Sequence, residues 1–103
     1  MRDLIRLFGS IALLVTMASP AFGGLVNDPV YDKQCAKCHG KTAEGRHFGG
    51  PSLRTTTLSL DEIQNMIANG KGRMPKFADK LTPDQIHTLA TEIKELSASP
   101  PAH

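Results

Sequence analysis

The sequence predicts a small all-α domain of about three helices, with long structured loops wrapped around something other than protein. Three observations carry that reading. Capping boxes at Ser59–Glu62 and Thr82–Gln85 precede stretches whose apolar residues recur at helical spacing. No stretch shows the strict alternation of apolar and polar residues that a half-buried strand would show. Large core residues are also scarce: the 103 residues include no Trp, one Tyr and four Phe. A domain this small usually needs a disulfide, a metal or another staple to hold together.

In chain order, the opening "MRDLIRLFGSIALLVTMASPAFGG" has Arg2 and Arg6 at its start, an apolar run from Leu7 to Ala18, then small residues and Pro20. That is the layout of a secretory signal peptide. The run is 12 residues long, short of the roughly 20 that cross a bilayer. Residues 1–23 are therefore expected to be a cleaved leader, cut after Ala21 or Gly23, with a single domain over 24–103 and no membrane span after cleavage. Without Arg2, Asp3 and Arg6, ten Lys and Arg face nine Asp and Glu. A nearly neutral chain argues against nucleic acid as a partner.

The first helix is expected over about Pro29–Lys37, with Asp28 as N-cap and Pro29 at the first helical position. Residues 40–57, "GKTAEGRHFGGPSLRTTT", form a loop too long to lie idle in a small domain. The second helix follows Ser59, carries Leu60, Ile63, Met66 and Ile67 on one stripe, and stops at Asn69–Gly70. Met66 reads there as a core residue. Residues 70–80 hold two glycines and a proline and cannot be helical. The third helix starts at Thr82 and aligns Ile86, Leu89, Ala90, Ile93 and Leu96. The tail "SASPPAH" reads as a frayed, flexible end.

The chemistry sits in "QCAKCHGK", residues 34–41, which holds both cysteines of the chain. A redox dithiol of this spacing belongs at the start of a helix in a βαβ unit, and no strands are predicted here. A structural zinc site needs four ligands, and no second pair of cysteines exists; His47 and His87 are only distant candidates. Covalent haem attachment explains the whole string C-x-x-C-H: two thiols one helical turn apart meet the two vinyl groups, and the following histidine lies beneath the iron. Such attachment is made outside the cytoplasm in bacteria, which agrees with a leader. A large apolar disc would also supply the missing core.

A sixth iron ligand is then expected. Met74 lies in an irregular loop and is followed by a proline that stiffens it, whereas Met66 falls on a helix stripe. His47 remains a rival, and His87, off its helix's apolar stripe, reads as a surface residue. A His/Met pair favours ferrous iron and raises the reduction potential, and a six-coordinate iron leaves no position for substrate.

Taken in order, "YDKQCAKCHG", "GPSL", "GKGRMPKF" and "LTPDQIHTLATEIKEL" span Tyr31 to Leu96, and the chain resembles a small monohaem class I cytochrome c of the bacterial periplasmic type. The resemblance implies one covalent haem c, with thioethers at Cys35 and Cys38, His39 as proximal ligand and Met74 as distal ligand. It also implies that the Pro51 carbonyl binds the second ring nitrogen of His39, that Gly50 lets the backbone approach the haem, and that Leu53 packs on the haem edge. It implies a periplasmic one-electron carrier rather than an enzyme, a monomer or an enzyme subunit. The donor would be a dehydrogenase or quinol-oxidising complex and the acceptor an oxidase or reductase. The alternative is a dedicated haem c subunit of a periplasmic dehydrogenase complex, accepting electrons from its catalytic subunit. One departure stands out: Glu92 lies near the place of a customary aromatic in the last helix, leaving Tyr31, Leu89 and Ile93 for the helix crossing. Lys37, Lys41, Lys71, Arg73 and Lys76, interrupted by Glu44 and Asp79, form either an ordinary solvated surface or a weakly basic ring around the haem edge.

Overall fold

Residues 24–98 are described by a computed structural model. The expected leader, its cleavage site and the tail beyond Ala98 lie outside the described residues. A 3-10 turn at Leu25–Asn27 leads into four helices: α1 (Pro29–Gln34), α2 (Ala36–His39), α3 (Leu60–Asn69) and α4 (Pro83–Ala98). Among the described residues there is no strand, only an isolated bridge between Lys71 and Met74.

Local chemistry starts each helix where the sequence signals it. Asp28 caps α1 by accepting the Val30 N–H at 2.8 Å, with Pro29 beside it in the first turn. Both arms of the Ser59 box form, Glu62 N–H to Ser59 Oγ at 3.2 Å and Ser59 N–H to Glu62 Oε1 at 2.8 Å. Thr82 and Gln85 do the same for α4, at 3.1 and 2.8 Å. The last helix continues through Ser97 and Ala98, past the apolar stripe that ends at Leu96.

The first helix differs from expectation. It reaches His39 instead of Lys37, and it breaks at Cys35, whose φ of −118° opens the turn between α1 and α2. Cys35 N–H still bonds Tyr31 O at 2.8 Å, while the N–H groups of Cys38 and His39 both converge on Cys35 O. One residue thus closes the first helix and opens the second. No proline or glycine stands at the break, so the sequence carries no mark of it.

Helices α3 and α4 pack against each other, and α4 also packs on the Leu25–Asn27 turn. Their contact buries Ile63 and Ile67 against Ile86, Leu89, Ala90 and Ile93. Each such Leu or Ile contributes about 1.5–3 kcal/mol when fully buried. Tyr31, Leu89 and Ile93, the residues expected at the helix crossing, share this core, and Tyr31 is completely buried. Its hydroxyl donates to Gly40 O at 2.5 Å, which satisfies the polar end of the ring and ties the end of α2 to α1.

Candidate functional site

A cleft of about 440 Å³ opens between the α1–α2 segment, α3 and the two long loops. Cys35, Cys38, His39, Gly50, Pro51, Leu53 and Met74, far apart in sequence, all line it. Ile63, Ile67, Leu89 and Ile93 belong to both the core and the cleft lining, so the cleft is largely apolar and continuous with the core.

The loop after His39 is fastened to the helix it leaves. Gly50 N–H bonds Cys38 O at 2.7 Å, and Gly45 N–H bonds His39 O at 2.7 Å. Farther along, Leu53 N–H bonds Ala43 O at 2.9 Å. Arg46 Nη1 reaches Lys37 O at 3.2 Å, and Arg54 Nε reaches Thr42 O at 2.7 Å. This loop lies so close to the motif that a Cβ on Gly50 would stand 2.6 Å from His39 Cε1, and one on Gly49 would stand 2.6 Å from Cys38 O. The contact requires glycine at both positions.

His39 is nearly buried, 9% exposed, and its Nδ1 lies 2.8 Å from Pro51 O. A carbonyl only accepts, so Nδ1 carries the proton and Nε2 keeps its lone pair. Such a bond fixes the ring and raises the basicity of the free nitrogen, as a metal-bound histidine requires. The two thiols differ: Cys35 is half-buried and Cys38 exposed. Burial pushes the Cys35 thiol up to about 11, and the charges of Asp28 and Cys38 add to the shift. A neutral thiol suits the apolar surroundings.

Met74 comes from the second loop and is half-buried against the core. Its N–H bonds Lys71 O at 2.9 Å, and its carbonyl accepts from Lys71 N–H at 3.0 Å. Beyond it, Phe77 N–H bonds Ile67 O and Ala78 N–H bonds Ala68 O, which secures the loop to α3. Gly70, with φ of 73°, turns the chain so tightly that a Cβ would come within 2.5 Å of Met74 O.

Several residues stand otherwise than expected, or were missed. Met66, read as a core residue, is half-buried and lines the cleft, so two thioethers border the same space. The helical stripe that marked it apolar could not tell a core face from a cleft face. Phe48 also lines the cleft and is 88% exposed, with the His47 ring edge-on at 4.5 Å. An aromatic beside two glycines in a long loop was its only signal. His47 does not line the cleft, and His87 is exposed with Nδ1 2.6 Å from Gln64 Oε1. Lys37, Lys71 and Arg73 border the cleft, while Lys76 pairs with Asp79 at 3.5 Å.

The residues present fit a haem: an apolar cleft, an imidazole with its second nitrogen already engaged, a thioether on the other loop, and a glycine cradle that admits no Cβ. Comparison with known proteins agrees with that fit. The family described as cytochrome c oxidase, cbb3-type, subunit III matches residues 28–91, a span that contains Cys35, Cys38, His39, Gly50, Pro51, Leu53 and Met74. The chain is 37% identical to a cytochrome c6 of Gloeothece citriformis (strain PCC 7424) over 84 residues, 75% of this chain and 76% of the relative. It is 41% identical to a cytochrome c-551 of Bacillus subtilis (strain 168) over 51 residues, 48% of this chain and 44% of the relative. It is also 37% identical over 67 residues to the cytochrome c subunit of the menaquinol:cytochrome c reductase of Bacillus subtilis (strain 168), covering 65% of this chain and 26% of that subunit. With this helical fold and these relatives, the chain belongs to the small monohaem class I cytochromes c, electron carriers rather than enzymes, whose cofactor is one covalently bound haem c.

Proposed function

We propose that the protein carries single electrons in the periplasm on a haem c bound through Cys35 and Cys38, with His39 and Met74 as axial ligands. When bound, the haem iron supplies the one-electron change between ferric and ferrous states. The observation that carries the reading is the pairing of His39 and Met74 on one cleft, with His39 Nδ1 held by Pro51 O and Nε2 left to bind. Gly50 gives the imidazole its room, and Leu53 supplies apolar contact at the cleft edge. The apolar lining excludes water, which together with a thioether ligand favours the reduced state and a raised potential. The periplasmic location rests on the leader-like start of the sequence.

Lys37, Lys71 and Arg73 at the cleft border suit an acidic redox partner, with Phe48 offering an apolar contact among them. Electron transfer to such a partner is expected to slow as salt is added. A salt-independent rate would remove the basic surface from the account. A second reading, a permanent haem subunit of a larger redox complex, is favoured by the subunits among the relatives. Co-purification with a stoichiometric catalytic partner would select it.

The test of ligation is the optical spectrum of the exported protein, oxidised and reduced. A sulfur-to-iron charge-transfer band at the red edge, with no binding of carbon monoxide, is the expected result. Its absence together with immediate binding of carbon monoxide would remove Met74 from the iron.

A further inference from the structure

The stretch of cleft wall from Arg54 to Leu58 is held differently from the rest of the cleft. Thr56 and Leu58 line the cleft, and Thr57 between them is exposed. Among the described residues, residues 54–58 make no backbone–backbone hydrogen bond. Two of their bonds are local, Arg54 N–H to Ser52 Oγ at 3.1 Å and Leu58 N–H to Thr56 Oγ1 at 3.3 Å. Two cationic side chains bridge the stretch to other parts of the molecule. At one end Arg54 Nε donates to Thr42 O at 2.7 Å. At the other, Lys94 Nζ from α4 donates to Leu58 O at 2.8 Å.

The Lys94 bond is partly buried and joins residues 36 apart in the chain. Ile93, which lines the cleft, directly precedes Lys94, so one turn of α4 supplies both the cleft floor and a clamp on its wall. A flexible four-carbon stem lets the ammonium reach from the helix to the loop. A bond from a charged donor is also of the stronger class. The same charge supports the cap of α3 just beyond Leu58. Bonds from Ser59 first, and the charge of Lys94 after them, hold the Glu62 carboxyl below its ordinary value.

We infer that Lys94 is a positioning residue of the cleft: its bond to Leu58 O keeps the wall at residues 54–58 closed, and so limits how far water reaches the haem. The inference rests on the haem reading proposed above. Without the ammonium, the Leu58 carbonyl loses its partner. The apolar contact of Leu58 with the core is then left to hold that end of the wall. A loosened wall admits water to the cleft. Water favours the oxidised iron, which carries one more positive charge, so the reduction potential falls.

The experiment compares the haem-loaded native protein with Lys94→Met, which keeps the stem and removes the donor, and with Lys94→Arg, which keeps charge and donor. Amide hydrogen exchange at Leu58 and the reduction potential are measured at low and at high salt. Lys94→Met is expected to speed exchange at Leu58 about tenfold or more, the loss of one bond to a charged group. It is also expected to lower the potential at both salt concentrations while the sulfur-to-iron band persists. Lys94→Arg is expected to restore both readouts. Unchanged exchange and potential in Lys94→Met would overturn the inference. A potential shift that vanishes in high salt, with exchange unchanged, would also overturn it, because Lys94 would then act only as a screened charge. Nuclear magnetic resonance of the native protein decides the matter even if a variant fails to fold. Coupling from the Lys94 ammonium to the Leu58 carbonyl carbon supports the clamp, and a freely rotating ammonium without that coupling overturns it. The exchange and resonance readouts do not depend on Met74 binding the iron, so failure of the ligation reading would show separately, in the missing band.

Discussion

The two loops that border the cleft, one beside His39 and one carrying Met74, are held by different means. The loop after His39 is bonded back to the motif itself, through Gly50 to Cys38 O, Gly45 to His39 O and Pro51 O to the imidazole. The Met74 loop hangs instead on α3, through Phe77 to Ile67 O and Ala78 to Ala68 O, and among the described residues Met74 bonds only Lys71 through its backbone. The side chains explain the division. An imidazole has a second nitrogen that a carbonyl can grip, whereas a thioether is only a weak acceptor and must be held by shape. One border is fixed by polar geometry and the other by packing, so each should fail differently.

The largest effect is expected at the polar border. Gly50→Ala would put a Cβ 2.6–3.0 Å from three atoms of the His39 ring. The ring must move, and the loop that carries Pro51 must move with it. Overpacking of this kind costs about 1–3 kcal/mol, and the lost imidazole hydrogen bond adds about 1 kcal/mol. With His39 as the proposed ligand, weaker binding of the iron comes on top. The expected outcome is a lower melting temperature together with a partly high-spin spectrum. A normal spectrum at normal stability would show that the cradle is looser than its geometry.

At the packed border, Met74→Ala should leave the haem attached but give high-spin iron that binds carbon monoxide and has a lower potential. Met66→Ala provides the contrast, because Met66 lines the same cleft from α3. Being half-buried, it should cost less than the roughly 2–5 kcal/mol of a buried Met→Ala change, and the sulfur-to-iron band should persist. If the band disappears with Met66→Ala and survives Met74→Ala, the two thioethers exchange roles.

Much of the fold was legible in the sequence. The caps at Asp28, Ser59 and Thr82 form their bonds because capping depends on residues three or fewer apart. C-x-x-C-H is likewise local, and the apolar stripe of α4 marks its buried face. The break at Cys35 was not legible, since it comes from one backbone angle at a residue type that tolerates helix. Nor was the position of Met66, because periodicity defines a face but not whether protein or a cleft lies across it. Nor was the reach of Lys94 Nζ to Leu58 O, 36 residues earlier in the chain. Contacts across such separations are set by how helices pack, which a one-dimensional pattern does not contain.

The smallest expected effect separates shape from backbone strain within the Met74 loop. Gly70 and Gly72 both have positive φ, 73° and 59°. A Cβ at Gly72 would meet nothing within 4 Å, whereas one at Gly70 would press on Met74 O, Pro75 C and Lys76 N at 2.5–2.8 Å. Gly72→Ala should therefore show only the left-handed penalty of about 1–2 kcal/mol, with the spectrum unchanged. Gly70→Ala should show the cost of a glycine-only conformation, φ 73° with ψ 174°, about 1–3 kcal/mol, plus about 1–3 kcal/mol of overpacking, and a weakened sulfur-to-iron band, because the atoms it displaces are the backbone that aims Met74. Equal losses of stability with both spectra intact would mean that the loop adapts around Gly70, and that the packed border owes its shape to Phe77 and the core beneath it instead of to the turn.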